Sequence, residues 1–133
     1  MPIELEMVLR ILLATAQGDI IGYQRERAGK PAGLRTHILV CVGAALFTVV
    51  TIYGFGDPSA QVRVAAGIVA GIGFIGAGAI IRGGEGAVAG LTTATTIWAV
   101  AGIGLAVGVG LYLVSAVTTV IILIVLFLPH PIR

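Results

Sequence analysis

The chain has 133 residues, of which 58% are hydrophobic and only 11% charged, and its formal net charge is +2. About a quarter of an average globular sequence is charged, and the mean hydropathy here is +1.10, so water cannot solvate most of this chain. A soluble enzyme is excluded. Five membrane-spanning helices of about 20 apolar residues each would use most of the length and leave only short connections. The composition therefore predicts one all-α transmembrane domain over 1–133, a polytopic helix bundle of about five spans, with no room for a second folded domain.

The first span is expected over 3–22 and is the most polar, with Arg10, Gln17 and Asp19. Glu4 and Glu6 stand where a signal peptide would have its basic region, so no signal peptide is expected. The second span is expected over 36–55, the third over 62–81, the fourth over 91–108 and the fifth over 111–128. The break between the last two rests on Gly108-Val109-Gly110 alone. Each span must be helical, because lipid cannot satisfy an open backbone and the pattern fits no closed barrel. Five spans would put Arg25, Arg27, Lys30, Arg35, Arg82 and Arg133 on one side. The bias of basic residues toward the cytoplasm then places the N-terminus outside and the C-terminus in the cytoplasm.

Glycine is abundant, at 20 residues. Gly18 and Gly22, Gly67 and Gly71, and Gly104 and Gly108 each have the four-residue spacing that lets transmembrane helices approach closely. This predicts close packing within one chain, with a dimer face as the other use, and a tightly enclosed third helix. Cys41 is alone in an apolar stretch, which excludes an intrachain disulfide and reads as a small buried hydrophobe. Gly71, Gly73 and Gly76 match the spacing of a dinucleotide fingerprint, but that fingerprint has meaning only between a strand and a helix. Gly83-Gly84-Glu85-Gly86 lacks the Lys-Ser/Thr of a P-loop and reads as a cytoplasmic turn.

The residues that carry chemistry fall in three places. Asp19 lies near the end of the first span, where an ionisable residue usually faces the bundle interior or water. It is either a proton- or cation-responsive carboxylate or an interface residue paired with Arg25, Arg27 or Arg35. Arg10 is expected to snorkel to the outer surface. The loop after the first span holds Arg25, Glu26 and Arg27, then a turn at Lys30-Pro31-Ala32-Gly33, then Arg35-Thr36-His37 at the start of the next helix. Its arginines either anchor to anionic headgroups or form an internal network with Glu26, Asp19 and Glu85. The fourth span opens on Leu91-Thr92-Thr93-Ala94-Thr95-Thr96. Thr92 would cap the helix, and Thr92 and Thr96 share a face that can bond across helices or to their own backbone. Trp98, a turn further in, is expected to be packed. His37 and His130 are isolated, Ser59 and Ser115 have no base nearby in sequence, and no catalytic set, metal site, cofactor or nucleic-acid partner is expected.

The runs RERAGKPAGLRTH and GIGFIGAGAIIR, the latter followed by GLTTATTIW, closely resemble the membrane domain of the MgtC/SapB family. The likeness covers about 10–126, nearly the whole chain. It implies a bacterial inner-membrane protein of about five spans, linked in some relatives to magnesium starvation or survival in macrophages and in others to acid stress. The best-studied type is thought to restrain the membrane ATP synthase. Departures from the pattern include Gln24, where relatives commonly have Glu, and Asp19, where many have a small or apolar residue. Thr92 and Ala99 stand where virulence-type members carry Asn and Cys. Many relatives also continue into a soluble C-terminal domain, which is not found after His130-Pro131-Ile132-Arg133.

Three functional expectations follow. The first is a non-enzymatic modulator in magnesium, acid-stress or ion homeostasis, with the arginine loop, Arg82 and the threonines forming a cytoplasmic-side surface for lipid or a partner membrane complex. The second is a small cation or proton transporter using Asp19, which a homo-oligomer would favour because five short helices enclose little room for a pathway. The third is a passive packing module for another membrane protein.

Overall fold

The computed structural model describes residues 2–82 and 87–129, with the side chains of 81, 82 and 87–89 outside the description. Five α-helices follow one another: α1 Ile3–Arg27, α2 Leu34–Val50, α3 Pro58–Arg82, α4 Ala87–Gly108 and α5 Tyr112–Leu126. A π-helical turn, Thr51–Phe55, extends α2. Leu34–Phe55, Pro58–Ile80 and Gly90–Gly108 are each long and apolar enough to cross a membrane. The 25 residues of α1 reach about 37 Å at 1.5 Å per residue, long enough to cross, but α1 is less apolar than those three. The apolar α5 is the shortest, at 15 residues.

The turns follow from local chemistry. At the end of α1, Gly29 takes a left-handed φ of 72°, while its N–H bonds Glu26 O and that of Lys30 bonds Arg25 O. At the end of α4, Gly110 has φ 90°, with Gly110 N–H on Val107 O and Leu111 N–H on Ala106 O. Both are Schellman endings, in which glycine supplies the left-handed residue and the last carbonyls are satisfied. The tight α4–α5 hairpin at Gly108-Val109-Gly110 is therefore present. Asp57 opens α3 by accepting from Ser59 N–H at 3.1 Å, with Pro58 in the first helical position where it lacks nothing.

The core is a three-helix contact with α2 between α1 and α4, and glycine makes it on both sides. A methyl group on Gly18 would lie 2.9 Å from Cys41 Cβ and 2.9 Å from His37 O, and one on Gly22 would lie 2.9 Å from Leu34 Cα. On the other side, a methyl on Gly104 would overlap Cys41 O, and one on Gly108 would meet Thr48 Cβ at 2.6 Å. Cys41, Ala45, Ala14, Ile21, Val100, Ile103 and Val107 fill the space between. The first and last glycine pairs thus pack within the chain as expected, and Cys41 is a buried hydrophobe.

Four expectations need correction. The third helix is not enclosed: α3 packs mainly along α4, and methyls on Gly67, Gly71, Gly73 and Gly78 would meet nothing within 4 Å. Small-residue spacing permits close approach but does not supply the neighbour. Helix α1 continues through Arg25, Glu26 and Arg27 rather than ending at Gly22, because the first left-handed residue is Gly29. Helix α4 begins at Ala87, so Thr92 lies inside it and cannot cap it. Trp98 is 55% exposed and faces away from the core.

The glycines therefore divide into two classes. Gly18→Leu or Gly104→Leu should lower the unfolding midpoint in detergent sharply, since overpacking alone costs about 1–3 kcal/mol and here the neighbour is backbone. Gly67→Ala and Gly71→Ala should leave the midpoint unchanged or raise it slightly, as read by thermal melts of the purified protein.

Candidate functional site

Polar groups in the bundle gather at three levels along α1, and α4 and α5 supply their partners. At the first level, Arg10 is buried rather than snorkelling. Its Nη1 donates to Gly108 O at 2.8 Å, its Nε to the Tyr112 hydroxyl at 3.0 Å and its Nη2 to Glu6 at 2.6 Å. The Tyr112 hydroxyl also donates to Glu6 at 3.2 Å, and the guanidinium lies 5.3 Å from the Tyr53 ring centroid. A cation on the last carbonyl of α4 is well placed, because that helix end is negative and its carbonyls lack helical partners. Arg10 thus clamps the α4–α5 turn to α1. Its surface route is closed because the turn folds over it.

Two turns deeper, the Gln17 amide donates to Thr119 Oγ1 at 3.1 Å and to Ser115 Oγ at 3.3 Å. The two hydroxyls donate in turn to backbone carbonyls, Thr119 to Ser115 O and Ser115 to Tyr112 O. Gln17 Oε1 is buried without a hydrogen-bond partner. This is the bond that fastens α5 to α1 where the surrounding surface is apolar, and interhelical bonds of this kind contribute about 0.6–2 kcal/mol in membranes.

The third level is the end of α1 that carries the basic residues. Arg25 is only 3% exposed, and its Nη2 donates to the fully buried Thr93 of α4 at 2.6 Å. Glu26 Oε1 accepts from Leu34 N–H at 3.0 Å, so a carboxylate of α1 caps the N-terminus of α2. A methyl group on Gly33 would overlap Glu26 Oε1, so a side chain there would push the capping carboxylate aside. His37 is fully buried. Its Nδ1 lies 2.9 Å from Gly33 O, a carbonyl that can only accept, which puts the ring proton on Nδ1. Nε2 is then an acceptor, buried with no hydrogen-bond partner.

The sequence-expected site is therefore divided. Arg25, Glu26 and Thr96 belong to the internal scaffold, with Thr96 buried and bonded to Thr92 O at 2.7 Å. Thr92 and Thr36 are half-buried. Arg27 and Arg35 are exposed, and Arg27 stacks over the Tyr23 ring at 5.8 Å. Arg82 ends α3 with its side chain outside the description, and Glu85, in the third loop, also lies outside the described residues, as do His130 and Arg133. Asp19 is exposed on the outer face of α1, and among the described residues it pairs with neither Arg25, Arg27 nor Arg35. It lies about 12 Å below Arg27 and about 13 Å above Arg10 along the helix, deeper than its sequence position suggested. Insertion scales put a lone Asp at about 2.5–3.5 kcal/mol at a helix centre, and less toward either end.

Gln17, Thr93 and Ser115 are visible in the sequence but carry no expected role there as interhelical ties, and Thr119 and Tyr112 do not stand out at all. A signal was there for Gln17: it shares a stripe with Arg10, Ala14, Gly18, Ile21, Gly22 and Arg25 at three- and four-residue spacing, and all seven are buried. Among the described residues, no three His, Cys, Asp or Glu side chains gather as a metal site.

Apolar helices of spanning length, joined by glycine turns and tied internally by polar bonds, define a polytopic α-helical membrane protein. Residues 11–133 match the model of the MgtC family, and the chain belongs to that family. It is 43% identical over 135 residues to the putative magnesium transporter YhiD of Escherichia coli K12, covering 94% of this chain and 61% of that protein. It is 42% identical to SrpB of Synechococcus elongatus, covering 92% of this chain and 74% of that one. Against MgtC of Brucella abortus the identity is 48% over 114 residues, with 86% of this chain and 47% of that protein covered. The chain thus spans 61% of YhiD's length and 47% of that MgtC's. None of these names is that of an enzyme. No solved structure gives a significant match.

Arg25→Ala should destabilise the bundle rather than strip a free surface charge. In reversible SDS unfolding, Arg25→Met and Thr93→Val should each cost about 1.5–3 kcal/mol, and the double variant should cost little more than one of them.

Proposed function

We propose that the protein is a non-enzymatic modulator that acts on a partner membrane complex in magnesium, acid-stress or ion homeostasis. It would sit in the bacterial inner membrane with its N-terminus outside and its C-terminus in the cytoplasm. The observation that carries this reading is how the polar groups at membrane depth are used. Arg10, Gln17, Arg25, Thr93, Ser115 and Thr119 are all engaged in bonds that tie helices together, a structural use of groups that in a carrier would line a water-filled pathway. The surface left for a partner is at the edge. An apolar groove of about 510 Å³ runs between α2 and α3, lined by Gly43, Phe47, Gly67, Ile68 and Gly71 among others. Arg27 and Arg35 stand exposed on the end that carries most of the basic residues. The ATP synthase is the partner that the family resemblance suggests.

The second reading, a cation or proton carrier using Asp19, is favoured by the name of the E. coli relative and by the depth of that carboxylate. The two separate in proteoliposomes loaded with a magnesium- or pH-sensitive dye. Modulation predicts flux no faster than in empty vesicles from correctly inserted protein. It also predicts that Arg27→Glu with Arg35→Glu abolishes low-magnesium growth support at unchanged protein level. Flux above the empty-vesicle rate that disappears in Asp19→Asn would overturn modulation and establish transport.

A further inference from the structure

The outer face of α1 carries a second stripe, opposite the one that packs into the bundle. Leu5, Leu9, Leu12, Ala16, Asp19 and Tyr23 follow one another at spacings of four, three, four, three and four residues, and all six are exposed. Leu12 is 57% and Tyr23 54% exposed. That alternation is the heptad seam of a two-stranded coiled coil, in which a single polar position fixes register. Lipid would accept the leucines, but it accepts a carboxylate only at a cost, and Asp19, which has no partner among the described residues, sits about two turns inside the end of α1. The monomer is therefore incomplete at this face.

The seam also carries what completes it. Two copies inserted the same way present parallel α1 helices, with equal residues at equal depth. Side chains on a helix lean toward its N-terminus, so the Tyr23 ring of one copy reaches down to the level of Asp19 on the other. The Tyr23 hydroxyl accepts from Arg27 at 3.4 Å, and its own proton is engaged by no acceptor in the described chain. Ala16, one turn from Asp19, lets the backbones approach at that level.

We propose that two copies of this chain pair in parallel through the α1 seam Leu5–Leu9–Leu12–Ala16–Asp19–Tyr23, each Asp19 carboxylate accepting a hydrogen bond from the Tyr23 hydroxyl of the other copy. The contact is self-complementary, as a twofold interface requires. It is independent of whether the protein modulates or transports.

The test is oxidative cross-linking in native membranes, with single cysteines introduced into a Cys41→Ala background. Leu12→Cys and Ala16→Cys should give a band at twice the 13.5 kDa chain mass. Phe74→Cys on α3, a residue 86% exposed, and Ile124→Cys on α5 should not. In vesicles, Tyr23→Phe should weaken dimerisation measured by energy transfer about tenfold, while an unchanged melting midpoint shows the monomer intact. Monomers alone at the Leu12 and Ala16 positions, a cross-link at Phe74 instead, or an adduct of another mass would overturn the pairing. Undiminished dimerisation in Tyr23→Phe would overturn the Asp19–Tyr23 bond.

Discussion

Helix α2 touches α1 and α4 through backbone rather than through side-chain layers, and the rest of the bundle is arranged around that closeness. Gly18 and Gly22 on one side and Gly104 and Gly108 on the other leave no room for a single added carbon against His37, Cys41 or Thr48. In lipid no water is released when apolar helices meet, so association depends on van der Waals contact and on bonds that only short separations allow. The close α1–α2–α4 contact puts Arg25 within reach of Thr93 and lets Glu26 cap the neighbouring helix. A bundle spaced by leucines would hold those groups too far apart.

The interhelical polar bonds are spread along α1, and each fastens a different element to it. Arg10 secures the α4–α5 turn, Gln17 secures α5, Arg25 secures α4, and Glu26 secures the start of α2. All four come from α1, which is why the least apolar helix is also the one that organises the others. In hydrocarbon a polar group without a partner is costly, so each bond specifies one arrangement more than it adds raw stability. Three buried acceptors have no hydrogen-bond partner among the described residues, Gln17 Oε1, Gln24 Oε1 and His37 Nε2.

Helix α3 lies at the other extreme. It contributes glycines without close neighbours, Phe74 projecting outward, and one wall of an apolar groove shared with α2. The chain thus separates a tightly bonded half from an edge open to other helices. The proposed modulator role would use both, since a surface that docks must be carried by a core that does not deform.

The sequence by itself determined the number and approximate places of the helices, the α4–α5 hairpin and the family. Apolar run length and left-handed glycines are local properties that survive in any packing. It also contained both stripes of α1, because helical periodicity is written in residue spacing. Only the tertiary structure decided which glycines are packed. Gly104 and Gly71 have the same local signature, and only one has a backbone against it. It likewise decided that Arg25 is an internal tie, that Arg10 lies beneath a turn, and that Asp19 faces outward. A side chain's role at membrane depth is set by which helix stands opposite, and that neighbour lies about 70 to 100 residues away in the chain, beyond anything local spacing can encode.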